Sequence, residues 1–163
     1  MSSASETVAS KDAGRARPDA YLANLEKARA QEAEATTARS NGEAVIFFGA
    51  AILYEHAAIN AREGKLSEST PHYAAKKARD LYLTDARDAE RDGLKFFAAA
   101  SYERAARVMK DNGLGQHAQQ TAAKKARDLY LADAEDKMKL GNADSADKSR
   151  KHAEDVAREN SLV

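Results

Sequence analysis

The ten residues AAKKARDLYL occur twice, at Ala74–Leu83 and at Ala122–Leu131, 48 positions apart. On a 3.6-residue wheel, Ala74, Ala75, Ala78, Leu81, Tyr82, Ala86 and Ala89 share one face, while Lys76, Arg79, Asp80, Arg87 and Glu90 point away. That face is mostly alanine, so a neighbouring helix can approach closely there, and Leu81 and Tyr82 supply the bulk. No segment of the chain alternates with period two. The expectation is an all-α protein without strands.

The duplication extends beyond the ten letters. A shift of 48 aligns residues 54–93 with 102–141 without a gap, and 19 of those 40 positions are identical. They include Tyr54/Tyr102, Ala57/Ala105, Ala58/Ala106, Leu66/Leu114, Asp85/Asp133 and Gly93/Gly141. The repeated unit is therefore a helix hairpin rather than a single helix. A fainter copy opens the first helix, where YLAN at Tyr21 parallels YLTD at Tyr82 and YLAD at Tyr130. A fixed period of this size is the mark of a stacked helical array.

Glycine and asparagine punctuate the pattern where left-handed helix caps are wanted. They divide the chain into six predicted helices: Asp19–Arg39, Glu43–Glu63, His72–Asp92, Leu94–Lys110, Gln116–Leu140 and Ala143–Glu159. Pro18 and Pro71, the only prolines, sit where a loop or a first helical turn accepts them. The predicted architecture is a set of antiparallel helical hairpins stacked as a short α-solenoid or bundle of about six helices. They form a single helical repeat domain over 19–160, preceded by a disordered tail over 1–18 whose Ser, Ala, Gly and charge content buries little.

Composition narrows the function classes. Lysine and arginine number 26 and are matched by 26 acidic residues, so the basic excess expected of a nucleic-acid binder is missing. Cysteine is absent, which removes disulfides, thiolate nucleophiles and Cys-metal sites and fits a cytoplasmic location. The longest uncharged apolar run, Ala44–Tyr54, is 11 residues, against the roughly 20 that a membrane span needs. The first residues, MSSASETVASKDAGRARP, lack the apolar core of a secretory signal.

Counting from Ala86, Tyr82 lies four before, Gly93 seven after, Ala98 twelve after, Tyr102 sixteen after and Ala105 nineteen after. This spacing of aromatic, small, Gly, Ala, aromatic and Ala resembles the tetratricopeptide repeat. The next copy keeps Tyr130, Ala134, Gly141, Ala146 and Ala153 but has Arg150 in the aromatic place. The period of 48 departs from the family's 34, and Asp85 and Asp133 stand where a leucine is expected. Ala86 to Ala105 followed by LYLADAE is also similar to microtubule-interacting and trafficking domains. Both resemblances imply that a partner helix or peptide is held on the surface of packed helices.

The expected function is thus a protein–protein interaction adaptor, not an enzyme, with no cofactor. Leu83, Arg87, Leu131 and Glu135 leave the packed face of their helices and are the candidate partner-binding residues. Asp85 and Asp133 fall within the apolar arc and are read as buried polar groups that need a donor, a Tyr or Arg of the facing helix. Val45, Phe48, Ile52 and Ile59 lie opposite the Ala50/Tyr54/Ala57 face. They are read as buried on both sides or, in the alternative, as the oligomer face of a self-assembling structural protein. The pairs Lys76–Lys77 and Lys124–Lys125 are read as solubilising charge. His56 and His152 occupy equivalent positions with Arg104 between them, which argues against metal ligation, and no metal site is predicted.

Overall fold

The computed structural model describes residues 5–67 and 69–162, with side chains from Pro18 onward. Six α-helices account for the described residues, and no strand occurs among them: α1 Ser5–Ser40, α2 Phe48–Glu63, α3 Ser69–Arg91, α4 Lys95–Asp111, α5 Gln116–Lys139 and α6 Ala143–Glu159. The all-α expectation holds, and α6 has the predicted bounds. Two starts differ. Helix α1 runs through Pro18 instead of beginning after it. Residues 1–4 of the expected tail lie outside the described residues, and along 5–17 only the backbone is described. Helix α2 begins five residues later than expected, because Phe47 is buried ahead of the helix and caps the corner under the Arg39 guanidinium, 5.6 Å from the ring.

The chain divides into two compact units, residues 1–78 and 79–163, with the division inside α3. In the first, α1 packs antiparallel on α2, burying Tyr21, Leu25 and Ala28 of α1 and Ala50, Ala51, Tyr54, Ala57, Ala58 and Ala61 of α2. In the second, α4 packs on α5 and α5 on α6. Lys95 at the start of α4 pairs with Asp136 near the end of α5, and Gln119 near the start of α5 bonds to Asn160 after α6, so neighbours run antiparallel. The core is mostly alanine and tyrosine, with Leu25, Phe47, Leu81, Val108, Met109 and Val156 among them. Tyr54 and Tyr82 have no exposed surface, and Tyr130 has 1%. The predicted seam is therefore buried in both copies, and small residues let the helix backbones close in while each tyrosine fills the gap.

All six described helices end in the same closure. The amide two residues past the helix cap bonds back five positions and the amide before it bonds back three, as in Leu66→Ala61 with Lys65→Arg62 and Leu114→Met109 with Gly113→Lys110. This corrects one reading of the sequence. Gly64 is right-handed (φ −76°), and the left-handed residue is Lys65 (φ 52°). One repeat later that position is Gly113 (φ 61°). The repeated Leu66/Leu114 is explained by the same closure, which folds each leucine, half-buried, against its helix end.

Candidate binding surface

The four residues expected to meet a partner all belong to the second unit. Leu83 and Arg87 are one turn apart on α3, and Leu131 and Glu135 occupy the equivalent turn of α5. Arg87, Leu131 and Glu135 are exposed and Leu83 is half-buried. Across the two copies the leucine is kept, while the charge switches from Arg87 to Glu135.

A polar cluster that the repeat pattern did not reveal fixes α3 against α5. The Tyr102 hydroxyl of α4 donates to Glu90 Oε2 of α3 at 3.0 Å. Lys125 Nζ of α5 lies 3.2 Å from both Glu90 Oε2 and the Tyr102 oxygen, and 5.0 Å from the centre of the Tyr102 ring. Three consecutive helices meet in one Glu–Tyr–Lys group. The Tyr102 hydrogen bond holds the Glu90 carboxyl below the usual carboxylate range, partial burial opposes this, and Lys125 adds to the lowering. Burial pushes the Tyr102 phenol up. The hydrogen bond to Tyr102 raises the Lys125 ammonium.

The first unit builds the same group. Tyr54 of α2 donates to Glu32 Oε2 of α1 at 2.7 Å, and Lys77 of α3 reaches Glu32 Oε1 at 2.7 Å. Burial alone would raise Glu32, but Lys77 and Tyr54 together hold it low. Burial and the Glu32 carboxylate drive the Tyr54 phenol well up. Each doubled lysine therefore splits its roles: Lys77 and Lys125 clamp neighbouring helices, while Lys76 and Lys124 are exposed.

The predicted buried carboxylates differ from one another. Asp85 is buried. Asp133 is half-buried and accepts from Ser149 of α6 at 2.5 Å and from Lys137 at 2.6 Å, so its donors are a serine and a lysine rather than the expected Tyr or Arg. In α5, Tyr130 donates to Glu103 of α4 at 2.8 Å, and burial with that carboxylate drives its phenol well up. His152 stacks on the Tyr130 ring at 5.0 Å, and Phe96 meets both rings edge-on at 5.4 and 5.7 Å. Val45, Phe48, Ile52 and Ile59 are each half-buried. Among the described residues no group of three His, Asp or Glu is placed to hold a metal, and no helix is long and apolar enough to cross a membrane.

Two open clefts are lined by residues other than the four candidate partner-binding residues. One of about 470 Å³ in the first unit is lined by Ser69, His72, Tyr73 and Lys76. One of about 230 Å³ in the second is lined by Glu103, Arg107, Lys110, Asp111, Glu159 and Asn160. No protein-family model, curated protein or solved structure matches the chain.

Proposed function

We propose that the chain is a tetratricopeptide-like binding module that holds a partner's helix or extended peptide along the outer turns of α3 and α5. The observation that carries this reading is Leu131, 42% exposed on a helix whose other face is buried alanine and tyrosine. Glu135 lies one turn along the same helix, and Leu83 and Arg87 hold the equivalent turn of α3. An apolar contact bordered by one positive and one negative group suits a partner of mixed charge. The Glu90–Tyr102–Lys125 group keeps α3 and α5 in register, so the surface is ordered before a partner arrives, which lowers the entropic cost of binding. The acidic side chains Glu32, Glu90, Glu103 and Asp133 are engaged in helix-to-helix links, which favours a binding role over catalysis.

The test compares affinity capture from the native host with the unmodified chain and with Arg87→Glu combined with Glu135→Arg. The expected result is a reproducible partner that the double variant loses while its helical circular dichroism is unchanged. Capture unaffected by the charge reversal defeats the proposal.

The alternative is a structural protein that assembles through the outer face of α2. Ile46, 77% exposed between the half-buried Val45 and Phe48 and ahead of the half-buried Ile52 and Ile59, favours it. In that case Phe48→Lys or Ile52→Lys dissociates an assembly seen by light scattering.

A further inference from the structure

In each Glu–Tyr–Lys group a phenol and a cation converge on one carboxylate: Tyr54 and Lys77 on Glu32, Tyr102 and Lys125 on Glu90. The first unit gathers a phenol with cations once more, and this group is open to water. Its cleft of about 470 Å³ is lined by Ser69, His72, Tyr73 and Lys76 of α3. From α1, the Arg29 guanidinium lies over the Tyr73 ring, 5.9 Å from its centre. Every one of these side chains carries a hydrogen-bond donor, and no carboxylate lines the cleft. All five are exposed.

The cations here are not matched within the chain. Among the described residues, neither Arg29 nor Lys76 forms an ion pair. Glu32 is close enough to feel the Arg29 charge, but its two oxygens are engaged by Lys77 and Tyr54, each at 2.7 Å. Glu26, one turn before Arg29, is exposed and makes no pair with it. Glu68, next to Ser69 in the sequence, lies outside the described residues. We infer that this cleft binds a phosphate monoester, with Arg29 and Lys76 on its negative charge and Ser69, His72 and Tyr73 as further donors. A guanidinium offers paired N–H groups that suit two phosphate oxygens, and the ammonium adds a point charge. A phosphate ester carries close to two negative charges on three acceptor oxygens, so it answers both cations, whereas a carboxylate answers one. The cleft is of the size of a small-molecule site, which leaves room for the group that bears the phosphate. Water reaches every donor, so the phosphate alone binds weakly, with Kd about 1 mM. The site uses none of Leu83, Arg87, Leu131 and Glu135.

Titration of the full chain with a blocked phosphoserine peptide, with glycerol phosphate and with acetate, followed through amide chemical shifts, tests the assignment. Saturable shifts are expected around Arg29 and over residues 69–76 with both esters, and acetate is expected to bind at least about tenfold more weakly. Arg29→Ala and Lys76→Ala should each weaken the phosphate about tenfold with helical circular dichroism unchanged. Lys124→Ala removes the equivalent exposed lysine of α5 and should leave binding as it was. The tighter of the two esters names the source, a phosphorylated partner chain or a free small molecule. Shifts that do not saturate, acetate binding as tight as phosphate, or equal weakening by Lys124→Ala overturns the proposal.

Discussion

The two Glu–Tyr–Lys groups differ in how deeply they are buried, and removing one hydroxyl from each exposes that difference. Tyr54→Phe and Tyr102→Phe delete the same atom at equivalent repeat positions and leave the buried ring in place. In the first unit the acceptor, Glu32, is 22% exposed and its bond to Tyr54 is 2.7 Å long. In the second, Glu90 is 41% exposed, Lys125 is 50% exposed and the bond is 3.0 Å. A hydrogen bond to a charged group contributes about 1.5–3 kcal/mol. Glu32 keeps Lys77 when Tyr54 is changed, which places the expected cost near the lower end, about 1.5 kcal/mol. Water reaches Glu90 readily once Tyr102 is changed, so about 0.5 kcal/mol is expected there, as for exposed charged pairs. For a chain of this size these costs correspond to thermal midpoint losses of about 4 °C and 1–2 °C. Urea unfolding followed by circular dichroism measures both, with equal slopes confirming that the unfolded state is unchanged. If Tyr102→Phe costs as much as Tyr54→Phe, burial does not set the strength of these groups and the reasoning fails.

Lys65 holds a left-handed backbone that costs a side-chain-bearing residue about 1–2 kcal/mol, partly offset in glycine by about 0.5–1 kcal/mol of unfolded-state freedom. Lys65→Gly is therefore expected to stabilise by about 0.5–1 kcal/mol and Gly113→Lys to destabilise by at least as much, both visible as opposite shifts of the thermal midpoint. Acid should release both polar groups. Glu32 and Glu90 sit below their ordinary value of 4.5 in the folded chain, so their contribution is complete above that pH and fades as pH falls through the lower folded values. The stability difference between the unmodified chain and Glu32→Gln combined with Glu90→Gln is expected to shrink steadily below about pH 4.5, measured as thermal midpoint against pH.

Much of the fold was legible because alanine at helical spacing has one economical use. The face from Ala74 to Ala86 is buried, and the duplicated tyrosines lie at its centre. Boundaries were less legible where tertiary packing decided them. Nothing local marks Phe47 as the residue that delays α2, because its burial depends on Arg39 and on the neighbouring helix. The left-handed cap at Lys65 was hidden by the glycine beside it. The candidate surface was legible only as residues that leave the packed face, since exposure follows from the wheel. The Glu–Tyr–Lys groups were missed for a specific reason. Tyr54/Tyr102 and Lys77/Lys125 obey the 48-residue period, but Glu32 and Glu90 are 58 positions apart. Comparing copies at a fixed shift cannot pair those two carboxylates, although Glu32 accepts from Tyr54 and Glu90 from its repeat equivalent Tyr102.

The period also shows what sets the third hairpin apart. One repeat beyond Tyr102 stands Arg150, so a third clamping group lacks its phenol. Arg150 instead pairs with Asp147 on its own helix at 2.8 Å. The α5–α6 hairpin is held by other means: Ser149 and Lys137 on Asp133, and Phe96, Tyr130 and His152 in one ring cluster. A lysine from a further helix would find no phenol to grip at this position. The outward residues of α6, among them Asp144, Asp147, Lys148, Lys151 and Glu154, are exposed and charged, the surface that a terminal repeat needs to stay in water. The α5–α6 hairpin thus lacks the phenol that receives a neighbour's lysine and presents a polar outer face.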